Sequence, residues 1–186
     1  MNIIAGNRSE RLPRLYKELE TQGITGYELW DGIFERSAKA KENINAAHRQ
    51  IVEYADVAGW EEVCIAEDDV KFCDEGAWDF FLKNKPNDFD IYLAGIYLGD
   101  IKEDNTTDYF CGFHLYIVNK RFYKKYLSVD KHDHIDRALS GLGKFVVCQP
   151  FAAIQYEGFS ANTGKDEVYE QLLRGRQLFK KDIPLK

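Results

Sequence analysis

The apolar run Val63-Cys64-Ile65-Ala66 ends on three consecutive acids, Glu67-Asp68-Asp69, and a second short run, Val70-Lys71-Phe72, follows at once. This arrangement limits what the chain can fold into. Three adjacent carboxylates repel one another and cannot sit unpaired in a core. The strand that the apolar run predicts must therefore stop where the acids begin, where a cation or many donors can meet them. Hard oxygen ligands suit Mg²⁺ or Mn²⁺. Open α/β sheets bind ligands just beyond the carboxyl ends of their strands. Metal-assisted work on a phosphate-bearing substrate fits both the position and the chemistry, and a solvated acidic turn is the alternative.

Composition narrows the class. The 186 residues suffice for one good core, and 45% hydrophobic residues with 14% aromatics mark a chain that folds. With 25 basic against 31 acidic residues, the net charge of −6 disfavours nucleic acid as a partner, which needs a basic face. No apolar run approaches the ~20 residues that span a bilayer. The start, Met1 to Arg8, turns polar too soon for a signal peptide. Cys64, Cys73, Cys111 and Cys148 show neither a CxxC pair nor zinc spacing, so a reducing cytoplasm is the expected setting. That setting is compatible with peripheral contact at the inner face of a membrane. A P-loop GxxxxGK[ST] and a Rossmann GxGxxG are both missing.

Along the chain, strand-like and helical patterns alternate. Strands are expected at Asn2–Ala5, Tyr27–Trp30, Val63–Ala66, Phe89–Ala94, Phe110–Val118 and Phe145–Cys148. A helix follows Pro13, with Leu12, Leu15, Tyr16 and Leu19 on one face and Gly23 at its end. A longer one runs from Ser37 to Ala58, with Ile44, Ala47, His48, Ile51, Ala55 and Ala58 as its inward stripe. Shorter helices are expected at Ala77–Leu82, Asn119–Leu127 and Ile135–Leu142, and a last one at Asp166–Phe179 on the spacing of Val168, Leu172 and Phe179. Gly99–Asp108 is polar and aperiodic, and reads as a mobile loop or lid. The pattern predicts an α/β fold with a mixed, mostly parallel sheet flanked by helices. Residues 1–179 form a single domain on this reading, and 180–186 a flexible C-terminal tail.

Several segments, in order, resemble glycosyltransferase family 25, the lipooligosaccharide biosynthesis group. Asn7-Arg8-Ser9-Glu10-Arg11-Leu12 is similar to its "R-x-x-R" stretch, and Trp30-Asp31-Gly32 to its strand ending in "D-G". Ala47-His48 resembles its "S-H" pair, with alanine in place of serine. Ala66-Glu67-Asp68-Asp69 is similar to its "L-E-D-D" signature, and Asp90 to Gly95 to its "D-h-h-h-L-G" strand. Gly112 to Ile117, Ile135-Asp136, and Gln149-Pro150 through Gln155 to Ser160 match its later segments. The likeness spans most of residues 1–162. The segment between Leu98 and Tyr109 departs from it, and the chain is short for the family.

The resemblance implies a GT-A fold and a glycosyltransferase (a hexosyltransferase) moving a sugar from a nucleotide-sugar donor, a UDP-sugar, to a glycan acceptor in surface polysaccharide or lipopolysaccharide biosynthesis. A divalent ion, manganese or magnesium, would stabilise the charge growing on the diphosphate leaving group. Asp69 is then the principal metal ligand, with Glu67 beside it; Glu67 and Asp68 also serve the metal's water or the donor ribose. Asn7, Arg8 and Arg11 follow the first strand, where this fold binds the nucleotide; arginine suits phosphate, although each is equally a surface charge. His48 carries a catalytic role through the family match, against a satisfied core histidine. Asp136 is the candidate general base, against a first-turn acid that stabilises its helix. Gln155, Ser160 and Asn162 lie in a polar segment able to close over the diphosphate. Trp30, Tyr97 and Tyr109 are candidates for ring stacking, against plain core aromatics. His114 is read as a packing residue before a metal ligand. The competing readings are a nucleotide-sugar hydrolase or nucleotidyltransferase using the same acids, and a catalytically inactive nucleotide-sugar-binding relative.

Overall fold

The computed structural model describes residues 1–6, 10–160 and 162–182. Strand β1 (Asn2–Ala5) leads through helix α1 (Leu12–Thr21) to β2 (Glu28–Asp31). Helix α2 (Ala40–Ala58) connects to β3 (Glu62–Glu67), and β4 (Val70–Phe72) follows after a two-residue turn. Helix α3 (Ala77–Lys83), β5 (Ile91–Leu93), the two-residue β6 (Thr106–Thr107) and β7 (Leu115–Asn119) come next. A 3₁₀ turn over Lys120–Phe122 then opens into α4 (Tyr123–Ser128), α5 (Ile135–Leu139) and β8 (Phe145–Val147). The chain finishes with β9 (Ala153–Gln155), β10 (Gly158–Ser160) and β11 (Lys165–Glu167).

Seven strands form the central sheet, in the order β2-β1-β3-β7-β5-β8-β6. Strand β1 is parallel to β2 and β3, β5 is parallel to β8, β7 is antiparallel to β3 and β5, and β6 is antiparallel to β8. Five strands therefore point one way, and the expected α/β class with a mixed, mostly parallel sheet is what is found. Alternation along the strands feeds two cores, one on each face. Val63 and Ile65 of β3, with Tyr116 and Val118 of β7, pack against Ile51, Val52 and Ala55 of α2. Ala66, Leu115 and Ile117 face the other way, toward Leu15 and Leu19 of α1 and Phe80 and Phe81 of α3. Gly59, in the left-handed region at φ 71°, stops α2 where the sequence predicts.

Two expectations are corrected. The helix over Asp166–Phe179 does not form. Lys165–Glu167 pairs instead with Gly158–Ser160 across a turn in which Gly164 takes φ 70°. Val168 and Leu172, meant for a buried stripe, are exposed; Phe179 alone packs, stacked 4.6 Å from Phe80. Gly175, in the left-handed region at φ 81°, interrupts the segment, and a backbone pairing of Phe151 with Gln177 and Phe179 holds its end in an extended path instead. The supposed mobile loop contains β6, an edge strand whose Thr107 is buried. In the tail, Lys181 is held by Asp74 and Glu75; residues 183–186 lie outside the described residues. Among the described residues no helix is long and apolar enough to cross a membrane.

Candidate functional site

The parallel strands β1, β2 and β3 end on the same side of the sheet, beside the start of the antiparallel β7. There they enclose a cleft of about 790 Å³. Ile4 of β1 stands opposite Glu67 of β3 in register, so the loop after β1 and the acid turn are neighbours. Strand β4 then leaves the sheet and pairs with β9, placing Gln155 opposite Val70 and over the acids.

Each acid has distinct partners. Asp68 accepts the Gly6 N–H at 2.7 Å on one oxygen and Arg11 Nη1 at 2.7 Å on the other. The same Nη1 reaches Asp69 Oδ2 at 3.0 Å, and Arg11 Nη2 donates to the Phe159 carbonyl at 2.6 Å. Gln155 Nε2 donates to Glu67 Oε2 at 2.8 Å and to Asp69 Oδ1 at 3.1 Å. Glu67 Oε1 meets His48 Nε2 at 3.1 Å. Burial, and then the charge of Glu67, pushes Asp69 up to about 7, against the opposing pull of Arg11 and Gln155. Burial works on Glu67 too, but the hydrogen bond and charge of His48, with His114 and Arg11, hold it below the usual carboxylate range. The two carboxylates are thus shifted in opposite directions, Glu67 down through His48 and Asp69 up through burial and the charge of Glu67.

Most residues singled out by sequence converge here. Arg11, Ala47, His48, Glu67, Asp68, Asp69, Asp136, Gln155, Ser160 and Asn162 all line the cleft. Asn7 and Arg8 lie outside the described residues. Asp68, expected at the metal's water or the ribose, has both oxygens engaged within the protein and ties the acid turn to β1. Asp136 serves in the first turn of α5, accepting the Arg137 N–H at 2.8 Å, and also faces the Gly112 N–H at 3.3 Å. His114 is buried and donates from Nε2 to the Ala153 carbonyl at 2.9 Å, which agrees with packing. Of the three aromatic candidates only Tyr97 lines the cleft; Trp30 packs against Tyr54, and Tyr109 is exposed.

The sequence reading missed Tyr169. Its ring stacks on Tyr97 with centroids 4.4 Å apart, and both wall the cleft. No local signal could reveal it, because the contact depends on the β10–β11 turnback. Cys111 also lines the cleft, but burial and the neighbouring Asp136 push its thiol up to about 12, which disarms it as a nucleophile.

Among the described residues, no group of three or more His, Cys, Asp or Glu side chains is disposed to hold a metal. The donor set still fits a hard divalent ion. Mg²⁺ is commonly bound by one or two carboxylates, its other positions filled by substrate phosphate and water. Glu67 and Asp69 offer two carboxylates that already share one polar hydrogen donor, Gln155, and both line the cleft.

No family model matches the sequence, and no curated protein matches it. Solved structures do. A197 from STIV aligns with a TM-score of 0.53 and 11% identity, over 100% of this chain and 97% of that one. HddC from Yersinia pseudotuberculosis, complexed with GMP-PN, gives 0.47 at 12% identity over 78% of this chain and 88% of that one. A Drosophila beta-1,4-galactosyltransferase 7 mutant, in complex with manganese, UDP-Gal and xylobiose, gives 0.48 at 13% identity over 96% of this chain and 75% of that one. The likeness to A197 is one of fold.

Proposed function

We propose that the chain is a metal-dependent glycosyltransferase of the family 25 type, moving a sugar from a UDP-sugar to a glycan acceptor in cytoplasmic synthesis of a surface polysaccharide or lipooligosaccharide. One observation carries the reading: two carboxylates, Glu67 and Asp69, share the Gln155 amide and stand beside Arg11 at the carboxyl end of β3 in a cleft shared with Asp136. Glu67 and Asp69 would hold the divalent ion, which when bound offsets charge developing on the diphosphate leaving group. Arg11 turns part of its guanidinium from Asp69 to phosphate, where bidentate contact suits it. Gln155 and Ser160 bind the donor from the β9–β10 side. Asp136 takes the proton of the acceptor hydroxyl as the new glycosidic bond forms.

The test is release of UDP from a panel of UDP-sugars with Mn²⁺, with and without a glycan acceptor. Acceptor-dependent release that Asp136→Asn slows at least a hundredfold supports transfer. Release independent of acceptor supports a hydrolase instead, and binding without turnover an inactive relative.

A further inference from the structure

A chain of buried polar groups runs inward from Glu67. His48 Nε2 lies 3.1 Å from Glu67 Oε1, His48 Nδ1 lies 2.8 Å from the Tyr116 hydroxyl, and that hydroxyl lies 3.0 Å from the hydroxyl of Tyr126. His48, Tyr116 and Tyr126 are each at most 1% exposed, so the line is shielded from bulk solvent. Phe113 fixes the ring planes, standing edge-on to His48 and 3.8 Å from the Tyr116 centroid.

Either hydroxyl can donate to the other and the imidazole can run either way; for a neutral His48, Glu67 as a carboxylate that can only accept sets one direction. Gln155 can only donate from Nε2, so Glu67 is an acceptor on its outer oxygen. Burial pushes both tyrosine hydroxyls up, so each stays protonated and able to donate. If Tyr126 donates to Tyr116 and Tyr116 donates to His48 Nδ1, the imidazole proton must sit on Nε2, facing Glu67. A buried carboxylate that receives a donor on each oxygen is aimed and held; one without the inner donor swings or takes up a proton.

We infer that Tyr116, backed by Tyr126, is a positioning residue: it fixes His48 as the Nε2–H tautomer and thereby aims Glu67 into the cleft. The inference rests on the proposed metal role of Glu67 for its consequence, but not for its geometry. It names a pair of tyrosines, deep in the core of the sheet, on which the chemistry of the surface acid depends.

The test has one readout on the metal-free protein and one with metal. Imidazole ¹⁵N NMR at pH 8 reports the His48 tautomer in wild type and Tyr116→Phe. Titration with Mn²⁺ alone reports affinity. Wild type is expected to show the Nε2–H form, and Tyr116→Phe a mixture of tautomers with Mn²⁺ binding weakened at least tenfold, the range usual for residues that orient metal ligands. His48→Gln keeps an N–H donor toward Glu67 without a tautomer to choose, so adding Tyr116→Phe to it should change Mn²⁺ affinity less than twofold. An Nδ1–H ring in wild type, or an unaltered tautomer in Tyr116→Phe, overturns the inference. If wild type itself fails to bind Mn²⁺, the metal reading fails, and the tautomer comparison still decides the role of Tyr116.

Discussion

Arg11 Nη1 lies 2.7 Å from Oδ1 of Asp68, a side chain whose other oxygen accepts the Gly6 N–H at 2.7 Å. This makes the middle acid of the triplet a structural clasp between β1 and β3, while the flanking acids share the Gln155 amide at the cleft. Asp68→Ala leaves the Gly6 N–H and part of a half-buried guanidinium unmatched. Loss of one partner from a buried pair costs about 3 kcal/mol. Urea denaturation should show that loss for Asp68→Ala, and a smaller one for Asp69→Ala.

Asp69 gives a pH dependence with a definite sign. Burial and Glu67 raise it to about 7 when folded, from an ordinary carboxylate value when unfolded. A raised folded value means that the contribution of Asp69 to stability is full below about pH 4 and is lost as pH rises through about 7. Asn mimics the protonated form. Asp69→Asn should gain on wild type by on the order of 2 kcal/mol between pH 5 and pH 8 without divalent ions. Thermal denaturation at the two pH values checks this, and Mn²⁺ should reverse the gain at pH 8.

Gln155 reaches the acids because β9 lies close against the end of β5. A Cβ on Gly95 would stand 2.5 Å from the Ala153 carbonyl oxygen and 3.1 Å from the Phe151 ring. Neither neighbour is a flexible side-chain end. Gly95→Ala should therefore destabilise the fold by at least ~2 kcal/mol and shift Gln155. By contrast, Gly26→Ala, with no atom within 4 Å of its Cβ, should cost less than ~1 kcal/mol.

Much of this arrangement was legible in the sequence, and the reasons are specific. The apolar run Val63–Ala66 predicted a strand, and the acids predicted where it ends. The stripe through Ala47, His48, Ile51 and Ala55 predicted the helix that carries His48 to Glu67. Local periodicity contains no record of partners far along the chain. Nothing in Leu115–Asn119 announces an antiparallel strand inserted between β3 and β5. The departure of β4 to pair with β9, and the β10–β11 turnback that replaces the expected last helix, are likewise settled by long-range pairing. Those pairings deliver Gln155 and Tyr169, one found by resemblance and the other not at all.

Tyr169 supplies a further prediction. Burial, then the nearby Asp69 and Glu67, pushes its hydroxyl up to about 12, so it is a neutral ring in the cleft wall. Tyr169→Phe keeps the face stacked on Tyr97 and should leave kcat/KM within about twofold. Tyr169→Ala removes it and should lower kcat/KM about tenfold, equivalent to ~1.4 kcal/mol. Equal effects of the two changes would assign the hydroxyl, not the ring, the leading part.

The most direct test is calorimetric titration of UDP into wild type and Asp69→Asn, each with and without Mn²⁺. The account predicts binding by wild type that strengthens at least tenfold with Mn²⁺, and no such gain in Asp69→Asn. UDP binding that ignores both Mn²⁺ and the substitution, or no UDP binding under any condition, would contradict a metal-dependent nucleotide site at Glu67 and Asp69.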